Sequence, residues 1–137
     1  MADPQETRAL VRRYLDAFNA SDFDAMEETL HEDVAHDVNQ GEREIGRDAF
    51  RRFNMDMARH YDERLSDIVV MVDEHGGRAA AEFTVRGIYR ATAEGMPQAA
   101  DQSYSLPAGI FFAIEDGEIV RVSTYYNLAD WKKQVGG

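Results

Sequence analysis

The residues of this chain that could do chemistry fall into three groups. Tyr14 sits on an apolar helical stripe, with Leu10, Ala17 and Phe18 at helical spacing and Val11 and Leu15 beside them. A phenol there is either a core aromatic whose hydroxyl meets a backbone carbonyl, or a donor aimed into a cavity at a developing oxyanion. The run His36-Asp37-Val38-Asn39-Gln40 sets polar groups inside and just after a strand. It reads as a solvated turn, or as a base at a cavity mouth: an imidazole, or a carboxylate whose pKa apolar neighbours raise. Alternation sends His36 and Val38 to one face and Asp37 and Asn39 to the other, so both pairs reach a pocket only if the strand is bulged. The third group is aromatic: Phe53, Tyr61, Phe83, Tyr89, Tyr104, Phe111, Phe112, Tyr125, Tyr126 and Trp131. Most of these must be core, but several carry hydroxyls and would suit a pocket for a flat, polycyclic or apolar ligand. Glu82, between small and apolar residues, reads as part of a solvated face rather than a buried ionic partner.

Other chemistries are excluded by what the chain lacks. It has no cysteine, which removes disulfides, thiolate nucleophiles and Cys-ligated metals. There is no phosphate-binding glycine loop. The two histidines of His31-Glu32-Asp33-Val34-Ala35-His36 are five apart, about 140° around a helix, so they do not form a zinc pair. Asp22-Phe23-Asp24 lacks the glycine and terminal glutamate of a calcium loop. Asn19-Ala20-Ser21 matches a glycosylation sequon, read as chance because no secretory signal is visible. Twenty-six acidic against fifteen basic residues give a net charge of −11, which repels phosphate backbones and argues against nucleic acid and anionic membranes as partners. No apolar run is long enough to span a bilayer. The 137 residues suit one domain with its own core, and the default location is cytoplasmic.

The elements that must position these groups follow from periodicity. Asp3-Pro4-Gln5-Glu6 starts a helix in a box-like arrangement. Ser21 or Asp22 caps a short second helix carrying Phe23, Met26 and Leu30. A third begins after Gly46-Arg47-Asp48, with Phe50, Phe53, Met57 and Tyr61 along one face. A short strand lies near 34–38. The period then changes: 64–74, 79–90, 103–115 and 118–126 read as strands. His75-Gly76-Gly77 and Asp116-Gly117 are turns, and 91–102 is a loop. Gly87, Pro107 and Gly109 are natural bend or bulge points. Asn127 caps a last helix over Leu128–Val135. The pattern is α+β, with helices on one face of an antiparallel sheet.

The stretch Tyr14-Leu15-Asp16-Ala17-Phe18-Asn19-Ala20-Ser21-Asp22-Phe23-Asp24 resembles the opening of the SnoaL-like group of ketosteroid isomerases and polyketide cyclases. Asp33-Val34, His36-Asp37, Gly46-Arg47-Asp48-Ala49-Phe50 and Gly117-Glu118-Ile119-Val120-Arg121 continue the resemblance. So does the close, Tyr125-Tyr126-Asn127-Leu128-Ala129-Asp130-Trp131. The group belongs to the nuclear-transport-factor-2-like (NTF2-like, cystatin-like) superfamily. The resemblance implies a cone, in which a curved, mostly antiparallel sheet wraps three N-terminal helices around a ligand pocket, and a dimer through the sheet. It also implies the isomerase apparatus of ketosteroid isomerase: a helix tyrosine, a carboxylate base after the first strand and a protonated aspartate on a later strand. The helix tyrosine falls on Tyr14. The base falls on Val38 without a gap and on Asp37 with a gap of one. The later aspartate falls near Ala108-Gly109, where there is no carboxyl group.

These readings set the expectations. The chain is a cone-shaped α+β domain, and it forms a homodimer, because the late strands carry apolar residues on both faces. It performs proton-transfer chemistry on a small apolar molecule, with no metal or organic cofactor, or else it is a binding or dimerisation domain of the same fold. Asp37 is the base, its pKa raised. His36 is the second candidate and Tyr14 the oxyanion donor. Phe18, Val38, Asn39, Phe53, Met57, Tyr61, Phe83, Tyr89, Tyr104, Tyr125 and Asn127 line the pocket.

Overall fold

The computed structural model describes residues 3–136. Helix α1 (Pro4–Asn19) starts where Asp3 accepts a hydrogen bond from the Gln5 amide, with Pro4 in the first turn. The cap is a single bond to Asp3 rather than the reciprocal box with Glu6. Helix α2 (Phe23–Glu28) is capped by Asp22, and α3 (Arg47–His60) follows Gly46. Strands are β1 (Leu30–Asp37), β2 (Arg43–Ile45), β3 (Tyr61–Val72), β4 (Arg78–Tyr89), β5 (Gln102–Glu115) and β6 (Glu118–Tyr126). A fourth helix, α4 (Leu128–Gly136), packs on β5 where the spacing after Asn127 put it, in addition to the three N-terminal helices that the resemblance implies. No helix among the described residues is long and apolar enough to cross a membrane.

The six strands form one curved, unclosed sheet in the order β2-β1-β6-β5-β4-β3. All neighbours are antiparallel except β1 and β6, which are parallel. The β5–β6 turn is Asp116-Gly117 with both residues at positive φ (50° and 77°), the mirror-image turn that matches strand twist. Two expectations need correction. Leu30 and Tyr61 are the first residues of β1 and β3, not helical positions. The ladder runs unbroken past Gly87, Pro107 and Gly109. Register shifts fall instead at Ser66/Val69, Ala113/Ile114 and Leu30/Ala35.

Alternation divides the sheet cleanly. Ala79, Ala81, Phe83, Val85 and Tyr89 of β4 face the helices, as do Tyr104, Leu106, Ile110 and Phe112 of β5. Against them α1 buries Leu10, Val11, Tyr14 and Leu15. Each such aliphatic side chain contributes about 1.5–3 kcal/mol by leaving water. The Asn19 side chain binds the Leu65 backbone twice, donating to its carbonyl at 3.0 Å and accepting from its amide at 2.8 Å, and so pairs edge strand β3 near its bulge. The outer face leaves Val69, Met71, Phe111 and Tyr125 exposed, with Phe111 and Tyr125 edge to face at 5.6 Å, while Glu82 is solvated there.

Candidate functional site

Strand β1 presents Val34 and His36 inward and Asp37 outward, with no bulge between His36 and Asp37 to bring them together. His36 is 3% exposed, its ring 4.3 Å from Phe50 and 4.7 Å from Phe53. Burial lowers its pKa to about 4 against the opposing charge of Asp37, so the imidazole is neutral at pH 7. Its Nδ1 is buried without a hydrogen-bond partner, and the nearest Glu44 oxygen is 4.0 Å away. Tyr14 also meets Phe50, stacked at 6.4 Å, and is edge-on to Phe112 at 5.4 Å. Burial pushes its phenol pKa up.

Asp37 stands apart from both. Arg43 donates to it twice, from Nε to Oδ1 at 2.6 Å and from Nη2 to Oδ2 at 3.0 Å. Ser123 donates to Oδ2 at 2.6 Å. The Arg43 bond, then the Ser123 bond, lowers the carboxyl pKa to about 2. This reverses the expected upward shift. Alternation places the side chain on the outer face, where donors hold it as an anion with little basicity.

The inner face holds a carboxyl group that the sequence reading passed over. Glu63, Gly87 and Tyr104 form one cross-strand row on β3, β4 and β5. The Tyr104 hydroxyl donates to Glu63 Oε2 at 2.5 Å. Burial pushes the Glu63 pKa above the ordinary glutamate range, against that hydrogen bond, which lowers it. Among the described residues no basic side chain pairs with it, unlike Asp37. Tyr61, two residues earlier on the same face, stacks on Tyr89 at 5.5 Å and meets Trp131 edge-on at 5.6 Å. Its phenol is pushed up to about 12, mainly by burial, with Tyr89, Tyr126 and Glu63 adding to the shift. Tyr126 is raised by burial and then by the Glu63 charge. The signal for Glu63 was its parity with Leu65 and Tyr61, obscured because Tyr61 read as helix and 62–64 are all charged.

Tyr126 also lines an open concavity of about 730 Å³, together with Asn39, Gln40, Ala108, Tyr125 and Asn127. Asn39 Oδ1 accepts the Tyr126 amide at 3.1 Å, and the Asn39 side chain lowers the Tyr126 pKa against its burial. Asn127 accepts from the Asp130 amide at 3.0 Å and so starts α4. The expected pocket residues thus divide. Asn39, Tyr125 and Asn127 border the concavity. Tyr61 and Tyr104 flank Glu63, and Phe53 packs on His36. Met57 and Val38 are half-buried, on α3 and just past β1. Phe18 and Phe83 pack in the core. Tyr89 is wholly buried and fastens the 90–101 loop, donating to the Pro97 carbonyl at 2.7 Å and accepting from the Ala93 amide at 2.9 Å. Among the described residues no three His, Asp or Glu side chains gather as a metal site.

Comparison with known proteins agrees with this architecture. The model of the SnoaL-like domain matches residues 11–122. A candidate polyketide cyclase of Xanthomonas campestris pv. campestris is 50% identical, with a TM-score of 0.94 over 97% of this chain and 98% of that one. One from Pseudomonas putida KT2440 is 56% identical, with a TM-score of 0.90 over 92% and 95%. A third, from Silicibacter sp. TM1040, is 50% identical, with a TM-score of 0.95 over the full length of both chains. No curated protein matches. A family match over most of the sequence, joined to full-length likeness at half identity, means that this chain belongs to the SnoaL-like family of the NTF2-like superfamily.

Proposed function

We propose that the protein catalyses proton transfer on a small, largely apolar organic molecule bearing an acidic C–H beside a carbonyl, with Glu63 as the base. The observation that carries this is an inner-face carboxyl raised in pKa by burial, with no basic partner and with one oxygen held by Tyr104. Such a group is poised nearer neutrality than a solvated glutamate, which suits a general base. Glu63 takes the C–H proton, and the electron pair moves onto the carbonyl oxygen as an enolate. The Asn39 Nδ2 and the neutral Tyr126 phenol, whose pKa the Asn39 side chain tempers, are the donors for that oxygen. The protonated Glu63 then returns its proton: to another carbon in an isomerisation, to the hydroxide that leaves as the C–O bond breaks in a dehydration, or, in a cyclisation, to the alkoxide left when the enolate carbon adds to a second carbonyl of the same molecule. The candidate polyketide cyclases at half identity favour the cyclisation arm. His36, neutral and buried, is the second candidate, with Tyr14 beyond it. The test is turnover of a panel of aromatic polyketides, with Glu63→Gln and His36→Gln run in parallel. Loss in the first and retention in the second is expected, and the reverse moves the base to His36.

The same reading includes a second copy of the chain. The exposed outer-face group of Val69, Met71, Phe111 and Tyr125 forms an apolar patch on the face that the helices leave bare. Light scattering at micromolar concentration should give twice the chain mass, and Phe111→Glu should reduce it to one. A wild-type monomer would remove the dimer.

A further inference from the structure

The row Glu63, Gly87, Tyr104 has a residue without a side chain in its middle, on a strand whose inward neighbours Val85 and Tyr89 are large. Glycine weakens a strand interior, and where it persists it marks either an unusual backbone or a close approach. The backbone offers no reason, because Gly87 is not among the glycines at positive φ. The approach does. A Cβ built on Gly87 would lie 2.6 Å from Cε2 of Tyr104 and closer still to its Cζ and Oη. The Tyr104 ring therefore lies across Gly87, and its hydroxyl arrives at Glu63 Oε2 only because that space is empty.

We propose that Gly87 is a positioning residue for the base: its missing side chain holds the Tyr104 hydroxyl on Glu63 Oε2 and leaves Oε1 as the oxygen that can receive a substrate proton. Any side chain at position 87 pushes the phenol off the carboxylate. Glu63 then loses the one donor that offsets its burial and takes up a proton more readily. This inference rests on reading Glu63 as the base. Its test is made on the free protein, so its failure is separable from that reading's, which would show as turnover persisting in Glu63→Gln.

The experiment is a carbon-detected NMR titration of the Glu63 carboxyl in the full chain, assigned by its disappearance in Glu63→Gln. Gly87→Ala and Tyr104→Phe should each move the midpoint upward, and the double variant no further than Tyr104→Phe alone. A Gly87→Ala midpoint equal to wild type, or an equal further step in the Tyr104→Phe background, would overturn the proposal. If Gly87→Ala is too unstable to titrate, the melting temperatures decide. Gly87→Ala should cost less in a Tyr104→Leu background, which removes the ring it meets, than in the wild type. An equal cost in both backgrounds would place the clash elsewhere and also overturn it.

Discussion

Asp37 and Glu63 are both acidic residues on strands of one sheet, and the protein treats them in opposite ways. Asp37 faces outward and takes three hydrogen bonds from Arg43 and Ser123, which bring its pKa down to about 2. Glu63 faces the helices and takes one bond from a neutral phenol, and burial drives its pKa up. The resemblance favoured Asp37 only with a gap of one residue, Val38 holding the base position without it. The contrast shows that a base is defined by the side of the sheet it occupies and by the charge of its donors. An arginine stabilises the anion outright, whereas a phenol only tempers the cost of burial.

The comparison is broken most directly by exchanging which carboxyl group matters. Glu63→Gln should lower turnover on the order of 10²–10⁴-fold, the usual contribution of a positioned base, while Asp37→Asn should change it by only a few-fold. Single-turnover kinetics on a polyketide substrate would check both, and equal losses would erase the distinction. Next in size is the steroid reaction. Ala108-Gly109 supplies no carboxylic acid as second oxyanion donor, and one such donor is worth on the order of 10²–10³ in rate. A 3-oxo-Δ5-steroid should therefore be isomerised poorly, followed by absorbance of the conjugated enone. Fast turnover that is lost in Tyr14→Phe would return the oxyanion role to that phenol.

The pH dependence of stability sharpens the contrast because the signs differ. Asp37 titrates lower in the folded state, so its contribution is present above its ordinary value of 3.8 and is lost as pH falls through about 2. Glu63 titrates higher when folded. Its contribution is present below the ordinary glutamate value of 4.5 and is lost as pH rises through its folded value. His36, lowered from 6.5 to about 4, is neutral when folded, so stability also falls as pH drops across that window. Urea unfolding across the range should show the acid-side loss reduced in Asp37→Asn and the loss on raising pH removed in Glu63→Gln. The smallest effect is Asp37→Asn at neutral pH. With Arg43 53% exposed and Asp37 30% exposed, solvent screens the pair, and the cost should stay below about 1 kcal/mol by denaturant melts.

Much of the architecture was legible because it is written in near neighbours. Three of the long strands, the Asp116-Gly117 turn and the Asn127 start of α4 appear where periodicity and turn chemistry put them, Asp22 rather than Ser21 caps α2, and β3 begins three residues earlier than expected. The three-residue β2 was missed because so short a segment, Arg43-Glu44-Ile45, shows no alternation. Tyr61 was misplaced because it continues the α3 stripe by one helical step although the backbone has already become extended. The bulges escaped because Gly87 and Gly109 were the visible weak points, whereas the register of β3 shifts between Ser66 and Val69, next to the positive φ of Asp67.

For the site, the sequence by itself determined strand parity. Alternation put His36 and Asp37 on opposite faces, but packing against Phe50 and Phe53 made the His36 face the inner one and left Asp37, the expected base, outside. Only the tertiary structure decided which groups meet. Tyr104 reaches Glu63 from 41 residues away across a vacancy at Gly87, and Ser123 reaches Asp37 from 86 residues away through the parallel β1–β6 pairing. Backbone propensity is set within a few residues along the chain, so it can be read locally. The basicity of a carboxyl group is set by desolvation and by donors that other strands bring to it through register, and these exist only once the sheet has formed.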